Sequence, residues 1–501
     1  MSNIARLFFE QAQVHPERVA IIHGVQRITY GDLARQAEAT AAGFIKQGLR
    51  TGDRVLVLVP MGIDLYRVVL ALFRMGAVAV FLDAWVNRER MELCCESANA
   101  RAWVGGWKAR LLALVSGPLR RTPIRLHLFP PARATTPLTA VDPDQSALIT
   151  FTTGSTGTPK AACRSHDFLA RQFDALLDEL QPNEGDTDLT TLPIVLFINL
   201  GLGSTTVIPA FKPSAPERFN TRKVVQQMLV HGVDRMTVSP IHARLLADHV
   251  MSTGSRLPLL KKVFTGGGPV FPAEARQIAR AFADARCTIV YGSTEAEPIA
   301  SINAGELVGE VSDEGLCVGR VFHRASVRII PISDEAISPM TSADFNEFVL
   351  PEGHIGEIIV SGTHVLASYY NNEEAFRRNK IIVDGVAWHR TGDSGRLTEG
   401  LLFLLGRCAQ LIPNCDGYIA PFVWESRLTA IDGVERGTLI GRKGSIIAVI
   451  QPARDSKPDL LQQKVKDLCA FVEEVRFVDP IPMDPRHRSK IDHDALRRDL
   501  L

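Results

Sequence analysis

The sequence has few cysteines, and they are scattered. Its 501 residues include eight, at positions 94, 95, 163, 287, 317, 408, 415 and 469, without a C-x-x-C pair. This spacing argues against a disulfide scaffold and a structural zinc site, and it favours a reducing compartment. The longest apolar stretch, 68–82, is broken by Arg74 and is too short to span a bilayer. The first residues lack the pattern of a signal peptide, so we expect a cytoplasmic protein without a transmembrane segment.

An excess of charge of either sign is also lacking. Lys and Arg number 56 and Asp and Glu 55, which leaves a formal net charge of +1. The net charge therefore creates no electrostatic field that would attract nucleic acid, and we expect no nucleic-acid partner. Internal repeats and low-complexity segments are absent as well. The 46% hydrophobic and 22% charged content is ordinary for a globular enzyme, and the length suggests two or three domains.

Helical and strand patterns alternate over the first 140 residues. Amphipathic or buried helices are predicted for IARLFFEQAQ, ITYGDLARQAEATAAGFIKQG and DLYRVVLALFRMG. Apolar strands are predicted for RVAII, RVLVLVP and AVAVFLD. Such alternation, with strands apolar on both sides, predicts an α/β fold whose parallel sheets carry helices on both faces.

Residues 101–130 form a locally basic stretch in which six cations stand among apolar residues: Arg101, Lys108, Arg110, Arg120, Arg121 and Arg125. The base rate for charge runs favours a core helix with a solvated basic face. Contact with a membrane surface or with an acidic carrier protein is the alternative.

A run of hydroxyls and glycines that ends in a lysine follows the apolar residues 147–149. Its members are Thr152, Thr153, Gly154, Ser155, Thr156, Gly157, Thr158 and, after a proline, Lys160. Between a strand and a helix, such a loop offers N–H groups, hydroxyls and an ammonium to a polyanion. It is not a Walker A loop, because Lys160 follows Pro159 rather than a glycine.

Two further segments follow predicted strands. Gly266, Gly267 and Gly268 come after LKKVF, and three consecutive glycines leave room for a flat ring on the main chain. Tyr291, Gly292, Ser293, Thr294 and Glu295 come at the end of CTIVY. An aromatic ring can stack on a base, a hydroxyl can bond a phosphate, and one carboxylate can hold Mg²⁺. Taken singly, each segment could equally be a surface turn.

The last two segments carry charged groups. Asp393 lies in HRTGD, and Arg407 follows it fourteen residues later. A carboxylate there can accept two O–H bonds. Lys490 lies in DPRHRSKI close to the end of the chain, where a solvated basic tail is the simpler interpretation. An ammonium beside a reacting phosphate would offset developing negative charge.

The five segments, in this order, resemble the adenylate-forming superfamily of acyl-CoA synthetases, peptide-synthetase adenylation domains and luciferases. The resemblance implies an enzyme that uses ATP and Mg²⁺ to convert a carboxylic acid into an acyl-adenylate, with release of pyrophosphate. It also implies a large AMP-binding domain over residues 1–405, with parallel-rich sheets, flanking helices and a small β-barrel-like part. A small mobile α+β domain, residues 406–501, would carry the catalytic lysine.

The resemblance also implies roles for individual residues. The loop 152–160 would bind phosphate, and residues 266–268 and 291–293 would border the adenine. Thr294 would contact the α-phosphate, Glu295 would hold Mg²⁺, and Asp393 with Arg407 would bind the ribose. Lys490 would be the catalytic lysine.

Departures from the sequence pattern that is common in the adenylate-forming superfamily indicate one branch of it. After Gly406 and Arg407 no acidic hinge pair appears, and Pro413 stands where a lysine is common. The chain instead resembles the β-lactone synthetase branch of the bacterial olefin pathway in G-R-x-A, D-G-x-x-x-P with Glu425, and D-x-R-H-x-x-K-I. This resemblance implies a 2-alkyl-3-hydroxy acid whose own hydroxyl displaces AMP, without CoA.

In that branch, Arg486 and His487 would orient or deprotonate the hydroxyl, or the motif would only position Lys490. Companion thiolase, reductase and decarboxylase enzymes are implied but cannot be seen in one sequence. Two other functions stay open: a medium- or long-chain acyl-CoA or acyl-carrier-protein ligase, which would need CoA or a carrier, and a non-catalytic nucleotide-binding protein.

The nearly apolar segment 192–203 bears on the substrate. By resemblance it lies along the acyl pocket, with Phe197 and Asn199 facing the carboxylate end of a small-molecule acid. An apolar lining favours aliphatic or aryl acids over amino acids. The alternative is a buried strand and helix start.

Overall fold

The computed structural model describes residues 3–82, 88–130, 135–153, 159–211, 215–307, 309, 311–415, 417–442, 444–454, 456–484 and 490–500. The strands are β1 (Val19–His23), β2 (Gln26–Thr29), β3 (Arg54–Leu58), β4 (Val78–Phe81), β5 (Ala102–Gly105), β6 (Ile124–Leu126), β7 (Ser146–Thr153), β8 (Pro159–Ser165), β9 (Thr187–Thr190), β10 (Thr205–Ile208), β11 (Arg235–Val238), β12 (Lys262–Gly266), β13 (Arg286–Ser293), β14 (Ala296–Asn303), β15 (Leu316–Val321), β16 (Ser326–Ile330), β17 (Gly356–Ser361), β18 (Lys380–Val383), β19 (Val386–Thr398), β20 (Leu401–Arg407), β21 (Ile412–Asn414), β22 (Gly417–Ile419), β23 (Val434–Arg442), β24 (Ser445–Pro452) and β25 (Glu474–Phe477).

The helices are α1 (Ala5–Val14), α2 (Tyr30–Lys46), α3 (Ile63–Arg74), α4 (Arg88–Ala98), α5 (Trp107–Val115), α6 (Gly117–Arg121), α7 (His166–Leu180), α8 (Pro193–Leu202), α9 (Thr221–His231), α10 (Pro240–Thr253), α11 (Pro272–Ala281), α12 (Ser342–Phe348), α13 (Glu373–Asn379), α14 (Pro421–Thr429), α15 (Pro458–Leu468) and α16 (His493–Leu500). Short 3₁₀ turns lie at Pro216–Arg218 and Cys408–Gln410.

Local chemistry explains where several helices begin and end. The Thr29 side chain accepts a hydrogen bond from the Asp32 N–H at the start of α2, and Ser165 does the same for Phe168 at the start of α7. Helix α8 has a proline in its first turn and ends at Gly203, whose left-handed backbone (φ +74°) suits glycine.

A six-stranded sheet has the order β6-β5-β3-β4-β7-β8. Its strands are parallel except for the β7–β8 pair, which is antiparallel. Strands β3 and β4 are apolar on both sides and buried, as the sequence predicted. Strand β7 ends at Thr153 and β8 begins at Pro159, so the described residues on both sides of the Gly/Ser/Thr loop belong to this sheet.

The larger sheet joins a parallel half to an antiparallel half. Strands β1, β10, β9, β11, β12 and β13 run parallel. From β13 onward the pairs β13–β14, β14–β15, β15–β20, β20–β19 and β19–β17 are antiparallel. The β-barrel-like part expected from the resemblance is an open extension of this sheet, and no sheet closes among the described strands.

Strands β23, β24 and β25 form a separate three-stranded sheet near the C-terminus. Its two faces are covered by different apolar clusters, one with Leu428, Leu461 and Val465 and the other with Ile481 and Leu496. The α/β fold class predicted from the sequence is confirmed. The domain boundary between residues 405 and 406 stays a prediction.

Two local predictions differ from the structure. Residues 101–130 do not form one core helix but the succession β5, α5, α6 and β6. The segment 192–203 is a helix, α8, rather than a strand followed by a helix start. Within the described ranges, no helix has both the length and the apolar character needed to cross a membrane.

Candidate active site

Part of the predicted site lies outside the described residues: Gly154, Ser155, Thr156, Gly157, Thr158, Arg486 and His487. Thr152 and Thr153 end β7, where their backbones pair with Lys160 and Pro159 of β8. Lys160 is therefore fixed in a strand directly beside the place where the loop leaves β7.

Tyr291, Asp393 and Arg407 come together although they are far apart in sequence. The Tyr291 hydroxyl donates to Oδ2 of Asp393 at 2.9 Å, and Nη1 of Arg407 lies 3.2 Å from Oδ1 of the same carboxylate. Asp393 and Arg407 are opposite each other in the β19–β20 pair, which fixes the ion pair. Burial, and then the neighbouring Asp393, raise the pKa of Tyr291 well above its ordinary value, so the phenol stays a donor.

A buried ion pair supports the turn that carries Asp393. Nε of Arg390 donates to Oε2 of Glu357 at 3.0 Å, and the Gly392 N–H donates to Oε1 of the same carboxylate at 3.2 Å. Gly392 has a φ of +69°, a left-handed backbone that glycine adopts without strain. The Thr-Gly-Asp turn is thus held rigidly from beneath, which fixes the direction of the Asp393 carboxylate.

Glu295 lies in the bend between β13 and β14 and is only 8% exposed. The Tyr369 hydroxyl donates to its Oε1 at 3.3 Å, and the Leu366 N–H donates to its backbone carbonyl at 2.7 Å. Both the carboxylate and the backbone of Glu295 are therefore held by the segment 366–369. A carboxylate held in this way is pre-oriented for a cation.

Two lysines lie near this carboxylate. Nζ of Lys160 donates to Oδ1 of Asn379 at 2.8 Å. Burial lowers the pKa of Lys160, while the negative charge of Glu295 raises it. Lys380 is almost wholly buried and bonds to the Leu366 carbonyl, and burial lowers its pKa to about 7. The site thus places two lysines close to one carboxylate, and groups of these kinds can bind a polyanion together with a divalent cation.

Arg164 joins the two sheets at the site. Its Nη1 donates to Thr150 Oγ1 and its Nη2 to the Thr294 carbonyl, both at 2.9 Å. Thr150 belongs to β7 and Thr294 follows β13, so the strand before the phosphate loop is tied to the residue before Glu295. Ser293 is also fixed, because its Oγ accepts the Ala296 N–H at 3.2 Å.

The predicted glycines lie at the same edge of the sheet. Gly266 and Val290 are partners in the parallel pair β12–β13, so residues 266–268 and 291–295 leave the sheet side by side. A Cβ on Gly266 would lie 2.4 Å from the Val290 carbonyl oxygen, and one on Gly292 would lie 2.9 Å from that of Ala296. Gly267 is exposed with a φ of +89°. The carboxyl edge of parallel strands is the usual position of ligands in such folds.

The two residues proposed for the acid pocket have different surroundings. Phe197 is partly buried, and its ring meets that of Phe73 edge-on at 5.4 Å. Asn199 is fully buried: its Nδ2 donates to Asp188 Oδ2 at 2.7 Å, and its Oδ1 accepts from Arg235 at 2.6 Å. The structure therefore places the Asn199 side chain in the core beneath α8, with its amide bound to Asp188 and Arg235, and its contact with the substrate stays a prediction.

Lys490 is anchored to the C-terminal sheet. Its N–H donates to Asp484 Oδ1 at 2.9 Å, and its carbonyl accepts the Asp484 N–H at 2.8 Å. The next residue, Ile491, packs with the apolar cluster of β23 and β24. Among the other charged residues of the predicted site, Asp393 and Arg407 lie in strands of the larger sheet, Glu295 lies in a turn of that sheet, and Lys160 lies in the six-stranded sheet.

The sequence did not point to Arg164, Tyr369, Asn379 or Lys380. Lys380 follows Arg-Arg-Asn, a context that is typical of a solvated helix end. In the structure Lys380 pairs with His389 in the β18–β19 ladder, and its ammonium contacts the Leu366 carbonyl and the Tyr369 ring. The sequence signal for a buried lysine is that Lys380 stands directly before the apolar residues Ile-Ile-Val.

The chain belongs to the AMP-binding enzyme family, whose model matches residues 8–370. It is an adenylate-forming enzyme. It is similar to the olefin beta-lactone synthetase of Stenotrophomonas maltophilia (strain K279a), with 29% identity over 99% of this chain and 97% of the relative.

Solved structures share the fold. The amide bond synthetase of Marinactinospora thermotolerans matches at a TM-score of 0.82 and 23% identity, with 100% of both chains covered. The O-succinylbenzoate coenzyme A synthetase of Bacillus subtilis, in complex with ATP and magnesium ion, matches at 0.81 and 21%, with 98% of this chain and 99% of the other covered.

Proposed function

We propose that this enzyme uses ATP and Mg²⁺ to adenylate a 2-alkyl-3-hydroxy acid and then closes the acyl-adenylate to a β-lactone. The observation that carries the first step is the proximity of Lys160, from the six-stranded sheet, to Glu295 and the Tyr291–Asp393–Arg407 cluster of the larger sheet. A solved structure with the same fold holds ATP and magnesium ion, which supports this assignment.

The residues present fit a magnesium nucleotide. Glu295 offers a nearly buried carboxylate, and Mg²⁺ in proteins takes one or two carboxylates together with phosphate oxygens. The bound cation would neutralise phosphate charge as pyrophosphate leaves. Lys160, with Thr294 and the loop 152–158, would bind the phosphates, and Asp393 with Arg407 would accept and donate hydrogen bonds at the ribose.

Residues 1–405 would form the nucleotide-binding domain, and residues 406–501 would form a smaller domain that presents Lys490. The ammonium of Lys490 would stabilise negative charge that develops on the reacting carboxylate and α-phosphate. Because Ile491, the residue after Lys490, packs on the C-terminal sheet, the approach of Lys490 to the nucleotide would depend on the position of that sheet.

Two observations support lactone closure as the second step. A relative that matches nearly the whole chain, at 29% identity, is an olefin beta-lactone synthetase. In addition, residues 408–425 lack the acidic hinge pair and the lysine that accompany thiol transfer in many relatives. The substrate hydroxyl would attack the acyl carbon, AMP would leave, and the hydroxyl proton would be lost, with Arg486 and His487 as the groups that orient or accept it. An intramolecular nucleophile has a very high effective concentration, which favours even a strained ring.

Mass spectrometry of the products tests this proposal. The wild-type enzyme is supplied with Mg-ATP and a medium-chain 2-alkyl-3-hydroxy acid, with and without CoA. A product lighter than the acid by one water molecule, formed without CoA together with AMP, supports lactone closure. A thioester formed only with CoA would instead assign a ligase of the acyl-CoA or acyl-carrier-protein type.

Three variants separate the steps. Glu295→Gln should lower pyrophosphate release by about a hundredfold, whereas Glu306→Gln, at an exposed turn of the same region, should not. His487→Ala should retain pyrophosphate release but lose lactone, and a normal lactone yield would exclude proton transfer by His487. ATP binding by the wild-type protein without any pyrophosphate release would contradict an enzymatic function altogether.

A further inference from the structure

Helix α5 turns an apolar face to solvent. Trp107, Leu111, Leu114 and Val115 are between 53% and 68% exposed, although the helix packs its other side, with Ala109 and Ala113, into the core. Exposed single apolar residues are common on protein surfaces, but four on one short helix are not. The exposed apolar face of α5 therefore indicates an interaction site.

The exposed residues form one continuous arc. Successive residues of an α-helix turn by about 100°, so Leu114, Trp107, Leu111 and Val115 fall within an arc of about 100°. Lys108 borders this arc on one side and Arg110 borders it on the other, and both are exposed. The Lys108 ammonium also lies 5.5 Å from the centre of a Trp107 ring, so this cation contacts the indole.

The surroundings of the helix are basic as well. The sequence has no acidic residue between positions 101 and 130. Arg120, Arg121 and Arg125 are exposed, and Arg121 forms a solvent-exposed pair with Glu96 at 3.0 Å, which contributes little. Phe129 follows β6 and is also exposed. Since β5 and β6 are parallel, Trp107 and Phe129 leave the sheet at the same edge.

We propose that the α5 surface, defined as residues 107–115 with Arg120, Arg121 and Arg125, docks on an anionic lipid bilayer. A tryptophan and three aliphatic side chains would enter the boundary between headgroups and acyl chains. Lysine and arginine at the margins would extend to lipid phosphates while their stems remain on the apolar side. This inference does not rest on the proposed function, because none of these residues belongs to the nucleotide site.

A lipid surface fits this pattern better than an acidic protein does. In a site for an acidic protein the cations would be expected within the contact, facing carboxylates. In α5 the centre of the arc is apolar, and the cations stand only at its borders, which is the distribution of helices that lie in a membrane interface.

Co-sedimentation of the full-length protein with vesicles tests the proposal. The wild-type protein should bind vesicles of phosphatidylglycerol and phosphatidylcholine, should bind phosphatidylcholine alone much more weakly, and should be released by salt. The triple variant Trp107→Ser, Leu111→Ser, Leu114→Ser should bind at least about tenfold more weakly. Lys108→Gln should weaken binding by about fivefold. The matched control is Leu229→Ser with Val230→Ser, at positions of α9 that are 51% and 70% exposed.

Thermal unfolding of each variant verifies that the fold is intact, which is expected because all the changes are at exposed positions. Failure of the wild-type protein to bind anionic vesicles at low salt would overturn the proposal. So would equal binding by the triple variant, or an equal loss in the α9 control. Loss of self-association in the triple variant, without vesicle binding by the wild type, would assign the surface to a second copy of this chain.

Discussion

The phenol of Tyr369 donates a hydrogen bond to the Glu295 carboxylate across 3.3 Å. The same segment donates the Leu366 N–H to the Glu295 carbonyl. Lys380 holds that segment in turn, through the Leu366 carbonyl and through the face of the Tyr369 ring, 5.7 Å from its ammonium. The orientation of Glu295 is therefore set by residues some 70 to 85 positions later in the chain.

Replacing Tyr369 with Phe should weaken the apparent affinity for Mg²⁺ by about 10- to 100-fold. The change removes the hydroxyl that orients Glu295 while the ring remains, and groups of this kind affect metal affinity by that amount. The measurement is the dependence of pyrophosphate release on Mg²⁺ concentration. Tyr370→Phe, at the next residue, is the control and should have no such effect. Equal Mg²⁺ dependence in wild type and Tyr369→Phe would contradict the role assigned to Tyr369.

Replacing Asp393 with Asn should raise the KM for ATP by about 10- to 100-fold. Hydrogen bonds to a charged group are worth about 1.5–3 kcal/mol, and the amide would also weaken the pairing with Arg407. Initial rates at varied ATP and saturating acid provide the measurement. Asp384→Asn, in an exposed turn between β18 and β19, is the matched control. An unchanged KM for ATP in Asp393→Asn would contradict the proposal that Asp393 binds the ribose.

Replacing Asn199 with Ala should lower stability rather than change substrate selection. The change leaves the buried Arg235 and Asp188 without their amide partner, at a cost of about 3 kcal/mol. Urea unfolding measures this loss, and kcat/KM per folded molecule should be unchanged for acids of different chain length. A selective change in the KM for the acid, with normal stability, would instead support the predicted contact between Asn199 and the substrate.

Acid should destabilise the protein through His166. Burial lowers the pKa of His166 to about 4, and its Nδ1 accepts the Ile4 N–H at 3.2 Å. The unfolded chain takes up this proton near the ordinary pKa of 6.5 and the folded chain only near 4, so stability is lost as the pH falls from 6.5 to 4. The loss is about 1.4 kcal/mol per pH unit, or at most about 3 kcal/mol.

The free energy of unfolding, measured at intervals between pH 7 and pH 4, gives this slope. His166→Gln should reduce it, whereas His127→Gln, at an exposed position, should leave it unchanged. A part of the slope should persist in His166→Gln, because burial lowers the pKa of His242 to about 4 as well. A slope that is the same in His166→Gln and wild type would refute the assignment.

The sequence predicted those parts of the site that depend on local patterns. Strands such as β3 and β4 are apolar on both sides, and Gly266 and Tyr291 each come at the end of a strand, so their position at a sheet edge follows from the order of residues. Lys380 and Asn199 could not be placed in this way. Their surroundings are made by contacts that no local pattern shows: Asn199 bonds to Arg235, 36 positions away, and Lys380 bonds to the Leu366 carbonyl, 14 positions before it.

The basic stretch 101–130 shows a second limit of sequence patterns. Its composition predicted a core helix with a basic face, but the charges are distributed over the helices α5 and α6, the strand β6 and the position just before β5. Which side of α5 faces the core depends on the small residues Ala109 and Ala113, since they allow the helix to lie closely on the sheet. The larger apolar residues are consequently left outside, the opposite of the usual amphipathic arrangement.

The bridges made by Lys160 and Arg164 have a consequence for folding. Lys160 bonds to Asn379, 219 positions away, and Arg164 bonds to Thr294, 130 positions away. Neither contact exists until the six-stranded sheet and the larger sheet have both assembled. A folding intermediate with only one sheet would have half of the nucleotide site and little affinity for ATP. Bound nucleotide would thus stabilise the fully assembled protein alone and draw partly folded molecules toward it by mass action.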